Sequence, residues 1–317
     1  MNARRRGRFL GAVAMACVAA LAARNASAAP RVMASIQPIH SLVAGVMQGV
    51  GSPGLIVQGY ASPHAYQMRP SVAAALYQAD LVFWMGAPLE NFLQKPINNV
   101  RPPARVVTLL DTQGLNVYFN RKSGVWDAQT SVIRSVKSAQ PAPAAFERDP
   151  HVWLSPQNAK HLVDRIATAL AKLDADNAAR YRTNAGALSQ RIDRQTAALQ
   201  ERLAPVRSMP FVTFHDAFQY FERAFGLNAV GALHLQPDRA PGAGRIYALR
   251  AAIRAQGVRC VFREPQFQAA LVDTLVEGTG ARVDVLDPMG AAIAPGPNAW
   301  FQMMAANADS MVRCLGG

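Results

Sequence analysis

Two periodicities alternate along most of this chain. Short apolar runs rich in β-branched residues, at 31–36, 55–59, 81–85 and 106–110, alternate with stretches of helical spacing such as 70–78 and 89–95. A second set of runs at 211–214, 229–233, 260–263 and 282–286 repeats the alternation. Strands separated by helices predict βα units built around mainly parallel sheets, so the fold class is α/β. From 120 to 148 both periodicities fail, and Ser, Ala, Pro and scattered basic residues predict a long mobile loop.

Between the two sets lies a helix of unusual length. Tyr181, Ala185, Leu188, Ile192, Leu199 and Leu203 recur at helical steps, and no proline interrupts until Pro205. At 1.5 Å per residue such a helix reaches on the order of 40 Å, the span of a two-lobed protein. The pattern therefore predicts a first lobe over 29–174, a connecting helix over 175–205 and a second lobe over 206–317.

The first 28 residues follow neither pattern. Arg4, Arg5, Arg6 and Arg8 precede an apolar run, and Ala26-Ser27-Ala28 supplies small residues for cleavage, which together predict an export signal. The run is short for a membrane span. Without this segment 289 residues remain, enough for two cores. Five of the 33 basic residues and none of the 20 acids fall in it, which leaves 28 against 20, a net charge of +8. The remaining basic residues form no block with interleaved aromatics, so nucleic acid is not an expected partner. Outside the signal the cysteines are Cys260 and Cys314. In an oxidising compartment such a pair is either a disulfide or two buried thiols. A bridge across their 54-residue separation stabilises by roughly 4 kcal/mol in the chain-entropy model.

Chemistry enters with the histidines. His151 lies in Asp149-Pro-His-Val-Trp-Leu-Ser-Pro156, where the prolines restrict the backbone and present the imidazole. His64 lies in Ala61-Ser-Pro-His-Ala-Tyr66 after the second run, and His215 directly follows the run at 211–214. Glu264 and Asp287 likewise follow later runs. Ligands of open α/β sheets bind beyond the carboxyl ends of the strands, where all five of these residues fall. Three imidazoles so placed are a ligand set for a borderline-soft divalent metal, above all zinc. His161 reads as a helix-face residue, while His40 and His234 read as packing or hydrogen-bonding residues near the cleft.

These segments carry a family resemblance. Ala61-Ser-Pro-His-Ala-Tyr with Arg69-Pro-Ser, Phe92-Leu-Gln-Lys-Pro, the Asp149-Pro-His motif, Phe214-His-Asp-Ala-Phe-Gln-Tyr-Phe, Pro241-Gly, Cys260-Val-Phe-Arg-Glu-Pro-Gln-Phe and Leu286-Asp-Pro-Met-Gly run in order over almost the whole chain. The ordered set resembles the periplasmic zinc-binding proteins of zinc-import ABC transporters, the ZnuA type. The resemblance implies two α/β lobes joined by a rigid helix, with Zn2+ held between them. Carried over by position, His64, His151 and His215 are the histidine ligands, and Asp287 matches the acidic position that can complete the site, the fourth ligand being Asp287, Glu264 or water. A disulfide between Cys260 and Cys314 fits the family pattern. The implied role is that of a monomeric periplasmic receptor that is not an enzyme and hands zinc to an ABC permease subunit.

One departure stands out. The stretch before the Asp-Pro-His motif is rich in histidines and acids in many members, whereas 120–148 has no histidine and only Asp127 and Glu147 as acids. A zinc-collecting role for this loop is not expected. Manganese is the alternative cargo, but manganese favours carboxylate oxygens and His215 occupies the position that is a carboxylate in manganese-type relatives. An exported zinc hydrolase is a third reading, for which the sequence offers no His-Glu-x-x-His pair.

Overall fold

The computed structural model of the protein describes residues 28–100, 105–122, 124–126, 148–235, 241–268 and 270–316. Residues 1–27 of the expected export signal lie outside them, as do 123 and 127–147 of the expected loop.

The first lobe holds strands β1 (Val32–Ala34), β2 (Gly54–Leu55), β3 (Leu81–Trp84) and β4 (Val106–Thr108), all parallel, in the order β2-β1-β3-β4. Every residue of β3 is buried, as expected of a parallel strand covered on both faces. Helices α1 (Gln37–Val46), α2 (Pro70–Tyr77) and α3 (Gln94–Asn98) belong to the same lobe. Proline stands in the first turn of both α1 and α2, where its fixed φ suits a helix start and no hydrogen bond is lost.

Two expectations are adjusted here. The run at 55–59 pairs as a strand only through Gly54–Leu55, after which Ile56 and Val57 still donate to Ala34 and Ser35 at 3.0 and 2.9 Å. The chain then leaves the sheet and enters the loop that carries His64. The helix expected at 89–95 is a 3-10 turn at Asn91–Leu93 followed by α3. Buried Glu90 accounts for the delay. Its carboxylate accepts from the backbone N–H groups of Met85 (3.2 Å) and Gly86 (2.9 Å) and from the Ser35 hydroxyl, which draws 86–90 into a tight turn.

Helices α4 (Pro156–Leu173) and α5 (Ala178–Leu203) follow, the latter 26 residues long, or ~39 Å at 1.5 Å per residue. All six apolar positions singled out by spacing are buried. The earlier half of α5 lies on α1, where Asn184 donates to the Val46 carbonyl at 2.9 Å. Its later half lies on α9 (Ala299–Gly316), where Gln195 donates to Phe301 O at 2.6 Å and the Arg191 guanidinium rests 3.7 Å from the Phe301 ring centre. The helix therefore braces both lobes from behind.

The second sheet is β5 (Phe211–His215), β6 (Ala229–His234), β7 (Cys260–Arg263) and β8 (Arg282–Val285), parallel, in the order β6-β5-β7-β8. Helices α6 (Gln219–Phe225), α7 (Ala243–Ala255) and α8 (Ala270–Val276) lie between its strands in sequence. Gly226, at φ 66°, ends α6 in the left-handed conformation that glycine adopts without steric cost. Cys260 and Cys314 are joined, with Cα atoms 6.0 Å apart, tying β7 to α9. One hydrophobic core runs through both lobes, and a smaller one lies within the second lobe around Val230, Ile253 and Leu275. No described helix is long and apolar enough to cross a membrane.

The lobes meet through buried hydrogen bonds. Gln37 donates from its side chain to Gly290 O and Ile293 O at 2.6 and 2.7 Å, Trp153 Nε1 donates to Pro288 O at 2.8 Å, and Trp300 Nε1 donates to Trp153 O at 2.9 Å. Neutral donors meeting carbonyls leave no buried polar group unsatisfied at these points.

Candidate metal centre

Each of the three singled-out histidines is delivered to the cleft by a strand end, a proline-bounded turn or a loop. His215 is the last residue of β5 and is 3% exposed. His151, 5% exposed, stands between Pro150 and the 3-10 turn Val152–Leu154, and Ser155 then caps α4 by accepting from Asn158 N. His64, half-buried, lies on the loop after β2, its backbone N–H donating to Ser62 Oγ at 3.3 Å. The cleft brings the three together: one nitrogen from each lies within 4.8 Å of the others. Nε2 of His151 and Nε2 of His215 are 3.4 Å apart.

Two of the rings are held by carboxylates. His151 Nδ1 lies 2.8 Å from Asp149 Oδ1, which also accepts from the His151 backbone N–H at 3.0 Å. His215 Nδ1 lies 2.5 Å from Glu264 Oε1, which accepts from the His215 backbone N–H at 3.1 Å. An ionised carboxylate only accepts, so in both rings Nδ1 carries a proton and Nε2 is the nitrogen left to bind an ion in the cleft. Asp149 is itself fixed by the second lobe: Gln219 donates to its Oδ2 at 3.2 Å and the Tyr220 hydroxyl to its carbonyl at 2.8 Å.

Electrostatics favour neutral rings at two positions. Burial pushes His64 and His151 well below the ordinary value, and the neighbouring imidazoles add to the effect. Burial pulls His215 down as well, but Glu264 more than reverses it and the net shift is upward. Burial also raises Asp149, to about 7, and Glu264. A cation entering the cleft relieves these strained ionisations.

Asp287 stands apart from the three histidines. Its Oδ1 accepts from Gln266 Nε2 (2.8 Å) and Met289 N (2.9 Å), and its Oδ2 accepts from Ala291 N (2.6 Å), so the carboxylate closes its own turn. Gln266, Phe267, Pro288 and Met289 line the cleft beside the rings, with Phe267 edge-on to His215 at 6.1 Å. His161 lies on α4 beside Gly114, and buried His40 meets the Pro53 carbonyl at 3.1 Å. His234 is paired in register with His215 and stacks on Phe214 at 4.7 Å. None of these three joins the cluster among the described residues.

Sequence reasoning passed over Asp149 as an orienting group, although a carboxylate two residues before a proposed ligand is a legible signal. Glu264, singled out in the sequence by its place after a strand, is by geometry the hydrogen-bond partner of His215. Trp153 and Gln37, which tie the lobes, carried no pattern of their own.

The family model described as zinc-uptake complex component A, periplasmic (ZnuA), matches residues 32–314. The high-affinity zinc uptake system protein ZnuA of Brucella abortus (strain 2308) is 41% identical over 304 residues, covering 90% of this chain and 91% of the relative. Its counterpart in Haemophilus ducreyi is 31% identical over 288 residues, covering 90% and 93%. Among solved structures, a crystal structure of ZnuA matches with a TM-score of 0.74 at 23% identity, covering 90% of this chain and 99% of that one. The solute-binding protein FpvC of Pseudomonas aeruginosa in complex with Mn2+ gives 0.75 at 22% identity, covering 91% and 99%. At such identities the structural likeness speaks for the fold.

Proposed function

Because this chain belongs to the ZnuA family of periplasmic zinc-uptake components, we propose that its cleft captures one Zn2+ through Nε2 of His151, Nε2 of His215 and a ring nitrogen of His64. The protein is a receptor of a zinc-import ABC transporter and not an enzyme. It acts in the periplasm, reached through the export signal at 1–28, and delivers its cargo as a monomer to the membrane permease subunit.

One observation carries the assignment of the ligands. Two nitrogens bound to zinc at ~2.0–2.1 Å with a tetrahedral angle lie ~3.4 Å apart, and Nε2 of His151 and Nε2 of His215 stand 3.4 Å apart. Asp149 and Glu264 fix the two rings at this spacing from their Nδ1 sides. A borderline-soft ion matches three nitrogens better than manganese does. The fourth position falls to water or to Asp287.

Titration of chelator-stripped protein with zinc, and then with zinc and manganese in competition, tests the reading. We expect one zinc per chain and displacement of manganese by zinc. Tighter manganese binding, or no zinc binding, would overturn it.

A further inference from the structure

The described part of the stretch between β4 and His151, around Tyr118–Arg121 and Gly124–Trp126, lies along the second lobe as a strap. Asp149 N donates to Tyr118 O at 2.9 Å, and Phe119 pairs antiparallel with Arg148. Further on, Val125 pairs antiparallel with Gly231 on the edge of β6, through Trp126 N to Val230 O at 2.9 Å and Ala232 N to Gly124 O at 3.0 Å. Between these anchors lies Arg121.

The Arg121 side chain is only 15% exposed. Its guanidinium lies 3.4 Å from the Asp216 carboxylate, bonds Glu222 on α6, and rests 3.8 Å from the centre of the Trp126 ring. Each of the two carboxylates leads to a histidine. Asp216 is the residue after His215, and its backbone N–H donates to His234 O at 3.0 Å. Glu222 shares α6 with Gln219, which holds the carboxylate that orients His151. A planar guanidinium can serve two carboxylates from one place, whereas an ammonium is a point charge.

We propose that Arg121 is a positioning residue of the metal site: by tying α6 and the residue after β5 to the strap, it holds the facing nitrogens of His151 and His215 at the spacing of a bound ion. The proposal rests on the reading of those two histidines as ligands. Arg121 touches neither ring and acts through Asp216, Glu222 and Gln219. Outer partners of this kind change metal affinity by ~10–100-fold when removed.

The test compares the parent with Arg121→Lys, Arg121→Gln, and a double variant, Arg121→Met with Glu222→Gln, that leaves less buried charge unpaired. Leu275→Ala in the small second core serves as a control destabilised away from the site. Zinc affinity is read against a chromophoric chelator, and coordination geometry by the visible bands of bound Co2+. We expect Arg121→Lys to stay folded, to bind zinc ~10-fold more weakly and to shift the cobalt bands, and the double variant to do at least as much, with Leu275→Ala keeping the parent bands. Folded Arg121 variants with zinc affinity within about twofold of the parent and unchanged bands would overturn the proposal, as would an equal loss in Leu275→Ala. Failure of every Arg121 variant to fold would also overturn it, by making Arg121 a folding residue. If the parent bound neither zinc nor cobalt, the histidine reading itself would fall and this proposal with it, a result distinct from parent binding with unaffected variants.

Discussion

His151 and His215, set beside His64, show the same side chain in two different mechanical settings. The first two are almost fully buried, each with Nδ1 held by a carboxylate and the neighbouring backbone fixed by strand or turn. His64 lies on a loop after a two-residue strand, and among the described residues no carboxylate or carbonyl holds its ring. Two ligands thus belong to the packed interior and one to its edge. Preorganised ligands bind without first being ordered, so the two sides should contribute unequally to affinity.

The strongest break of this comparison is removal of the ligands themselves. His151→Ala and His215→Ala are expected to weaken zinc binding by more than ~100-fold, beyond the range of outer partners, with His64→Ala losing binding too but by a smaller factor. Competition titration measures all three, and equal losses would show that the loop is as well ordered as the strands. Next in size come the carboxylates. Asp149→Asn and Glu264→Gln should each cost ~10–100-fold, because an amide no longer fixes the proton on Nδ1. The same titration checks this, and an effect below about threefold would mean that the rings hold their tautomer without help.

Acidity sharpens the comparison further. His64 and His151 are shifted well below the ordinary imidazole value, so at neutral and mildly acid pH they are already without a proton to lose. His215 is shifted upward by Glu264, so its proton must leave when the ion arrives. Binding therefore weakens as pH falls through the raised value of His215, and because His64 and His151 release no proton there the slope of log affinity against pH stays below three. Three unperturbed histidines would give a slope approaching three below ~6.5. Calorimetric titration between about pH 5 and 8 distinguishes the two, and a slope near three would show that burial does not shift the rings apart. The smallest effects are expected outside the cleft. His161→Ala, and deletion of most of 123–144, should leave zinc stoichiometry at one and affinity within about threefold, because neither removes an expected ligand. A fall from two bound ions to one on deletion would assign the loop a site of its own.

Much of this arrangement was legible in the sequence. Seven of the eight described strands fell where β-branched runs predicted them, because parallel strands covered on both faces need continuous apolar sequence. The six buried positions of α5 followed from spacing alone. The three histidines of the cluster were readable because each ends a strand or stands in a proline-bounded turn. What stayed hidden depends on partners distant in sequence. Trp153 meets Pro288 and Trp300, Gln37 meets Gly290, and Arg121 meets Glu222, none of them related by any helix or strand period. The delayed helix after Glu90 escaped for a related reason, since a buried carboxylate overrode local propensity.

The hydrophobic core that passes without a break from one lobe into the other also bears on how the protein melts. Lobes that shared only a hinge would unfold separately, whereas lobes that share an interior lose their packing together. Heat should therefore unfold the metal-free protein in a single cooperative transition. Any ion bound only by the folded form then stabilises both lobes at once, by ~2.7 kcal/mol when free zinc is a hundredfold above the dissociation constant. The melting temperature of the whole molecule becomes a gauge of cleft occupancy, readable by calorimetry without any label at the site.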